Sequence, residues 1–258
     1  MKEKFVFESD AVYHGKSKSG QFMSSHLLKM FKDCPFEYSM TVTGSAPEKD
    51  TPAFRFGRAA HKYILEGREA FDAEYAVFDG DRRTKKYKEF KEKYADCEIL
   101  TVSEFADLET MKLGVDYVQP AKEILSEGFA EGVLRADLHG VPCQIKIDWV
   151  NEHQNMIVDL KTCDTLTWFE HDFKRFSYQH QLAFYRDVFA EVFGNQPKVT
   201  VIAVEKRFPY RAGVWAVTPL TLNVASEENK QALSFYLECK SAGQWPTGYE
   251  RIKTMEVV

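Results

Sequence analysis

The first half of the chain carries its apolar residues mainly at the spacing of an α-helix. One predicted helix begins at Ser24 or Ser25, either of which can cap it, and ends at Cys34-Pro35. A second helix begins near Gly57, and residues 102–126 have the pattern of a long amphipathic helix. In the second helix, one face is formed by Ala60, His61, Ile64 and Leu65.

After residue 128 the pattern changes to that of β-strands. Residues 129–138, 141–150 and 156–162 predict three consecutive strands, separated by His139-Gly140 and by residues 151–155. An aromatic helix, two strands and a closing helix are predicted next, at residues 168–193, 198–206, 214–217 and 226–240. The core order helix, three strands, helix, strand predicts one α/β domain.

The remaining segments carry weaker signals. Residues 1–20 are predicted to be polar and irregular, and residues 44–50 to form a loop. Gly15-Lys16-Ser17 has the ending of a phosphate-binding loop, but Asp10 stands where that motif needs its first glycine. We therefore expect a single domain over residues 1–258, with a core at about 22–249 and a polar extension at 1–21.

Composition narrows the class of protein without deciding the function. The 258 residues are 44% hydrophobic, which is ample for one buried core, and no apolar run reaches the roughly 18 residues of a membrane span. The first residues have mixed charge and do not resemble a secretory signal, so the cytoplasm is the expected compartment. The net charge of −5 does not favour a nucleic-acid partner, although a local basic groove is sufficient to bind phosphate.

The five cysteines at positions 34, 97, 143, 163 and 239 are widely spaced and include no C-x-x-C pair. A disulfide framework or a zinc knuckle is therefore not expected, and reduced, mostly buried thiols are. Residues 82–93 contain seven lysines and arginines with Glu89 and Glu92 among them. A solvated helix face explains this segment better than a DNA contact, but both interpretations stay open.

The candidate chemistry lies in the second and third predicted strands. Asp159 and Lys161 are separated by one residue, so their side chains leave the strand on the same face, while Leu160 points into the core. A short hairpin brings Asp148 alongside them. Charges near an apolar core must be paired or bind a metal, and Mg²⁺ relieves the repulsion between two carboxylates. A surface hairpin with an ordinary ion pair is the alternative, and these residues alone leave the two about equal.

Asp148 followed by Asp159-Leu160-Lys161 resembles the D…(D/E)xK signature of the PD-(D/E)xK nuclease superfamily, and the wider context is similar to its RecE-type exodeoxyribonuclease branch. Further segments in the order of that family are 23–35, Gly57 to His61 (G-x-x-x-H), Gln181 to Tyr185 (Q-x-x-x-Y) and 244–249. Together they span about residues 22–249. The resemblance implies a restriction-endonuclease-like α/β core, with a central mixed sheet flanked by helices in the order α-β-β-β-α-β.

The resemblance also implies roles for single residues. Asp148, Asp159 and the Leu160 carbonyl would bind Mg²⁺, for which Mn²⁺ would substitute, and His61 would be a further ligand. Lys161 would orient and help deprotonate the attacking water. Gln181 and Tyr185 would support the site or touch the scissile phosphate. Two departures from the family pattern are Ile147, where a proline is common, and an aspartate at 159 in place of the more widespread glutamate.

Outside this context the helical residues have simpler interpretations. A lone His61 beside alanine and leucine is usually a core residue, and Gln181 and Tyr185, four positions apart on a helix, could simply pack together. Glu131, at the start of the first strand, is a secondary acidic candidate. An iron–sulfur cluster is not expected, because the C-terminal region offers Cys239 alone.

By the same resemblance, the expected function is 5′-to-3′ exonucleolytic hydrolysis of linear double-stranded DNA by a two-metal mechanism, in phage-type recombination. A ring-like homo-oligomer and a single-strand annealing protein are the implied partners, and no membrane association is expected. The alternatives are a nuclease of other polarity, an endonuclease with the same site, a catalytically silent DNA-binding module, and a metal-stabilised structural protein.

Overall fold

The structure, a computed structural model, describes residues 1–46 and 51–255. The predicted loop at 44–50 therefore lies partly outside the described residues. The first half of the chain is mainly helical, with a small parallel sheet of two strands. Its elements are α1 (Asp10–Lys18), α2 (Ser25–Asp33), α3 (Pro35–Val42), α4 (Pro52–His61), α5 (Gly67–Glu74), β1 (Tyr75–Phe78), α6 (Lys85–Lys93), β2 (Glu98–Thr101), α7 (Val102–Tyr117) and α8 (Gln119–Leu125).

The second half forms the main sheet and the helices that follow it. Its elements are β3 (Phe129–Leu138), β4 (Val141–Asn151), β5 (Met156–Cys163), α9 (Phe169–Arg175), α10 (Tyr178–Phe193), β6 (Lys198–Glu205), β7 (Ala212–Ala216) and α11 (Pro219–Ala242). The five strands lie in the order β3-β4-β5-β6-β7. The pair β5-β6 is parallel and the other pairs are antiparallel, which confirms the predicted mixed sheet.

Helices cover both faces of this sheet. On one face α2, α10 and α11 pack against odd-numbered strand residues such as Ile157 and Val201. On the other, α4, α7 and α8 pack against even-numbered residues such as Val158 and Ile202. Strands buried on both faces need apolar residues at nearly every position, as β6 shows with only Lys198 exposed. The α/β architecture expected from the sequence is therefore confirmed.

Two predicted long helices are each broken in the structure. The helix predicted at 102–126 divides at Val118, because Pro120 has no N–H to donate to the carbonyl four residues earlier and its ring would clash with that carbonyl, so Pro120 is tolerated only in the first turn of a new helix, α8. The helix predicted at 168–193 divides between α9 and α10. There Ser177 has a left-handed backbone, with φ of 61°, and no glycine or proline marks the break in the sequence.

The expectation of an irregular segment at residues 1–20 is wrong. Residues 10–18 form α1, which Ser9 caps through its side chain. Val6 pairs with Val133 as a single antiparallel bridge, and the Phe5 ring is buried against Phe129 at a centroid distance of 5.0 Å. A few apolar residues hold this polar segment on the edge of the sheet, which is why its hydrophobic pattern is weak.

None of the helices described in these two ranges is both long and apolar enough to cross a membrane. All five cysteines are free thiols, and Cys143, Cys163 and Cys239 are buried. Residues 85–93 form the exposed helix α6, which has no buried residue.

Glu205 joins three segments at the end of β6. Its carboxylate accepts hydrogen bonds from the Leu166 backbone N–H at 2.9 Å and from the Arg211 guanidinium, with Arg211 Nε at 3.0 Å. The Glu205 side chain is buried, and hydrogen bonds from Arg211 hold its pKa at about 2. This carboxylate therefore ties the connection that follows β5 to the loop between β6 and β7.

We expect Glu205→Gln to lower the free energy of unfolding at neutral pH by about 1.5–3 kcal/mol, because charge-assisted hydrogen bonds are lost. The folded pKa lies below the ordinary value of 4.5, so this stabilisation is present above pH 4.5 and is lost as the pH falls towards 2. Urea unfolding across this pH range measures it, with exposed Glu227→Gln as the control. A pH-independent difference between Glu205→Gln and the wild type would contradict the prediction.

Candidate active site

The candidate site lies where β4 and β5 separate. Their pairing covers Trp149 with Val158, Val150 with Ile157, and Asn151 with Met156. Asp148 and Asp159 are the next residue of each strand, at the point where the ladder stops. There the Asp148 carboxylate accepts a hydrogen bond from the Leu160 backbone N–H at 2.8 Å. The Asp148 side chain thus takes the place of the backbone acceptor that a paired strand would offer to Leu160. We call the opening between β4 and β5 at Asp148 and Asp159 the fork, and both carboxylates line it.

Asp159 and Lys161 occupy the same face of β5, as the two-residue period predicts. Lys161 Nζ lies 2.6 Å from Asp159 Oδ2, and the Asp159 side chain is only 2% exposed. Leu160 is buried on the opposite face with Val158. The carboxylate and the ammonium group are therefore held together at the fork, with an apolar layer behind them.

His61 approaches the fork from the other face of the sheet. It is the last residue of α4, and its Nδ1 lies 3.4 Å from Asp148 Oδ2. The chain continues from His61 into a π-helical segment, Lys62–Glu66, a distortion that is frequent at functional sites. The packing of α4 on the sheet, through the buried Ala59 and Ala60, positions the imidazole.

Gln181, on α10, connects the charged residues. Its Nε2 donates to Asp159 Oδ1 at 3.1 Å and to the Tyr185 hydroxyl at 3.2 Å, while its Oε1 accepts from Lys161 Nζ at 3.2 Å. Tyr185 is buried one turn further along the helix. The structure thus brings all the predicted site residues into one network, and their individual roles stay predictions.

Burial and neighbouring charges shift the pKa values of Asp159 and Asp148 in opposite directions. Burial, together with the nearby Asp148, raises the pKa of Asp159 to about 6 despite the Lys161 ammonium. Burial also pushes the pKa of Asp148 upward, but the ion pair and hydrogen bond to His61 outweigh it and leave that pKa lowered. Burial opposes the charge on Lys161, yet both aspartates hold its pKa above the ordinary value. The fork therefore concentrates negative charge that a cation would stabilise.

Two further features of the site were missed or left open by the sequence. Tyr178 lies under the Lys161 ammonium, with Nζ 4.7 Å from the ring centroid. Its spacing of three residues from Gln181 on the same helix was the signal that could have indicated it. Glu131 lies opposite Asp148, since its neighbours Ala130 and Gly132 pair with the neighbours of Asp148.

The backbone at Glu131 is strained, because φ is 62° in a residue other than glycine. Its carboxylate forms an ion pair with Lys146, which also pairs with Asp10 of α1. Burial and the nearby Asp148 raise the pKa of Glu131 even so. Glu131 therefore lies beside the site and shares the Lys146 ammonium group with Asp10.

The residues of the fork fit a divalent cation of the magnesium type. Across residues 1–46 and 51–255, no group of three or more His, Cys, Asp or Glu side chains is close enough together to bind a metal ion. Mg²⁺ does not need three, because it commonly takes one or two carboxylates and keeps several waters. The buried Asp159 Oδ2 contacts Lys161 as an ion pair but receives no aligned hydrogen bond, so it has ligand capacity to spare.

The fold and the fork define a PD-(D/E)xK-type domain. The chain belongs to the family described as PDDEXK-like domain of unknown function (DUF3799), whose profile matches residues 24–256. No curated protein sequence matches the chain.

Comparison with solved structures gives one likeness of the whole fold. One of a presumed exonuclease from Eubacterium rectale has a TM-score of 0.72 and 16% identity, over 98% of this chain and 97% of that one. A phage-related exonuclease from Haemophilus somnus has a TM-score of 0.40 and 14% identity, over 86% and 96% of the two chains. The first likeness shows the fold alone, and the second is too low to carry an argument.

Proposed function

We propose that the protein is a metal-dependent exonuclease that hydrolyses phosphodiester bonds of linear double-stranded DNA. The observation that carries this proposal is the fork itself: the half-buried Asp148 lies beside the buried Asp159, whose carboxylate contacts both Lys161 and Gln181. So much buried charge is costly in a structural role, and membership of a PDDEXK-like family supports a nuclease assignment.

The fork would bind the cations through Asp148, Asp159, the Leu160 carbonyl and His61. Divalent ions bound there would lower the pKa of a water molecule and neutralise charge on the phosphate and the leaving oxygen. Lys161 would orient the attacking water, and its raised pKa keeps it an ammonium donor in the metal-free protein. Gln181 positions Asp159 and Lys161 through a hydrogen bond to each, and the Tyr185 hydroxyl accepts a further hydrogen bond from Gln181.

The resemblance to the RecE-type branch supports the finer parts of the proposal. These are 5′-to-3′ polarity, a role in phage-type recombination, assembly into a ring-like homo-oligomer and cooperation with a single-strand annealing protein. Contacts to phosphate do not read base edges, so we expect little sequence selectivity. An endonuclease or an exonuclease of other polarity would use the same groups. A silent binding module is disfavoured because Asp148, Asp159, Lys161 and His61 are all present and in contact.

We expect linear duplex DNA to be degraded with Mg²⁺ or Mn²⁺ and to persist in excess EDTA, while Ca²⁺ supports binding without efficient cleavage. A closed circular duplex of the same sequence should survive under all these conditions. Gel electrophoresis of 5′- and 3′-labelled substrates over time also gives the polarity. Full activity in EDTA would exclude the metal mechanism, and rapid loss of the circle would indicate an endonuclease.

The basic segment at 82–93 is expected to contribute little to DNA binding. Three of its seven basic residues have local acidic partners: Arg82 pairs with Glu104, Arg83 with Asp81 and Lys85 with Glu89. If the exposed helix is a solvated face, the double variant Lys86→Gln, Lys88→Gln should bind DNA with unchanged affinity and salt dependence. Exposed Lys122→Gln, Lys230→Gln is the matched control. A fall in the slope of log affinity against log salt by about 0.9 per lysine would instead show that this helix contacts phosphate.

A further inference from the structure

A groove of about 570 Å³ begins at the site network and runs between α10 and the pair α1 and α2. Gln181 and Tyr185 line its inner part, so the groove and the fork share residues. Three lysines, Lys18, Lys29 and Lys32, line the groove, and the ion pairs that Lys29 forms with Asp33 and Lys32 with Glu228 are partly exposed. Partly exposed ion pairs are weak, so these ammonium groups can also contact a phosphate.

The break between α9 and α10 forms the outer rim of this groove. Ser177, which has the left-handed backbone described above, is the residue just before α10, and its side chain makes no capping hydrogen bond to that helix. The break presents Phe176 at the groove, where the residue is 43% exposed. Single exposed aromatic residues are common on protein surfaces, and what distinguishes Phe176 is its place at a groove that also contains Gln181 and Tyr185 of the site.

Phe176 begins a sequence of ring contacts that ends at the catalytic lysine. The Arg175 guanidinium lies 4.9 Å from the centroid of Phe176, and the Phe176 ring lies 5.7 Å from that of Tyr178, at an interplanar angle of 38°. The Tyr178 ring in turn lies under Lys161 Nζ. An aromatic surface flanked by two cations therefore extends from the fork to the rim.

We propose that the Phe176 ring stacks on an unpaired base of the nucleic-acid strand whose phosphates enter the fork. This inference rests on the proposed function and adds a base-binding position to it. Stacking suits every base, because each has a π-face, and it needs no hydrogen-bond readout, which agrees with the lack of sequence selectivity expected above. The groove volume is within the range of pockets that bind small ligands, and its lysines suit the phosphates on either side of the base.

The test compares normal and abasic strands in EDTA, where binding is measured without cleavage. The probes are fluorescent single strands of about 12 nucleotides, a length typical of single-strand binding sites, with one base at a time replaced by an abasic residue. The wild type should lose affinity by about 5- to 100-fold when the stacked base is removed. Phe176→Ala should bind the intact strand more weakly by a similar factor and show no further loss at that position.

Two other substitutions separate stacking from packing. Phe176→Trp should keep the abasic penalty, whereas Phe176→Leu, which is apolar but has no π-face, should behave as Phe176→Ala. The exposed aromatic Tyr117, at the end of α7, gives the matched control, and Tyr117→Ala should retain the wild-type penalty. The salt dependence of affinity should be the same in all these variants, since none changes a charge.

The inference is overturned if wild type and Phe176→Ala show the same abasic penalty at every position, or if Phe176→Leu retains the penalty. These outcomes leave the proposed nuclease untouched, because metal-dependent cleavage of linear DNA is measured separately. Conversely, a protein that shows the Phe176-dependent penalty but never cleaves DNA would retain the base-stacking position and lose the nuclease assignment.

Discussion

Replacing Asp148 or Asp159 by alanine is expected to abolish DNA cleavage while leaving the fold intact. Both carboxylates line the fork, and each is proposed to hold the cations, so either change removes metal affinity and turnover together. We expect the loss to exceed the roughly 10²–10⁴-fold that a positioned proton-transfer group contributes. Cleavage rates over a range of Mg²⁺ concentrations measure it, with exposed Asp96→Ala as the control. Near wild-type rates with normal metal dependence in either variant would refute the site assignment.

The same residues make a prediction about stability without metal. The folded pKa of Asp159 is about 6, above the ordinary value of 3.8, so ionisation of this carboxylate opposes folding. Asp159→Asn should therefore raise the free energy of unfolding in EDTA. The gain should be absent below pH 3.8, grow up to about pH 6 and stay constant above it. Urea unfolding of wild type, Asp159→Asn and Asp96→Asn across this range tests it. A gain that is already present at low pH would have a cause other than the charge.

Lys161→Ala should separate turnover from metal binding. Lys161 Nζ contacts Asp159 Oδ2, but a protonated amine cannot bind a cation, so its removal should preserve or tighten metal binding. Turnover should nevertheless fall by about 10²–10⁴-fold, because the group proposed to orient the water is lost. Calorimetric metal titration beside cleavage rates measures both effects. Lys206→Ala, which removes an ammonium group paired with the exposed Asp164, is the matched control.

Comparing Lys161→Ala with Asp159→Ala distinguishes the proposed role of Lys161 from that of a metal ligand. Asp159→Ala should lose metal affinity and turnover together, whereas Lys161→Ala should lose turnover alone. If Lys161→Ala lost metal binding as completely as Asp159→Ala, then Lys161 would hold the site together structurally. The water-orienting role would have to be given up.

The three strands around the site were predictable from the sequence almost to the residue, whereas β1 and β2 were not predicted. The predicted ranges 129–138, 141–150 and 156–162 differ from β3, β4 and β5 by no more than one residue at either end. The helices were less predictable: α1 was missed, and the breaks at Val118 and Ser177 were read as continuous helix. The alternating pattern of a strand is a local property of the sequence and can be read directly. The left-handed backbone of Ser177 has no such local signal, because no glycine or proline marks it.

The sequence by itself determined that Asp159 and Lys161 share one face of a strand with Leu160 behind them, because the side-chain period of a strand is a property of the local backbone. It also determined that Asp148 lies in the neighbouring strand, since the hairpin between them is short. Only the tertiary structure decided that the strands separate at these two aspartates. His61 and Gln181 lie on helices that pack on opposite faces of the sheet, and their contacts with the aspartates depend on how each helix docks. Docking is set by the burial of whole helix faces, such as that of Ala59 and Ala60, and no spacing of residues along the chain encodes it.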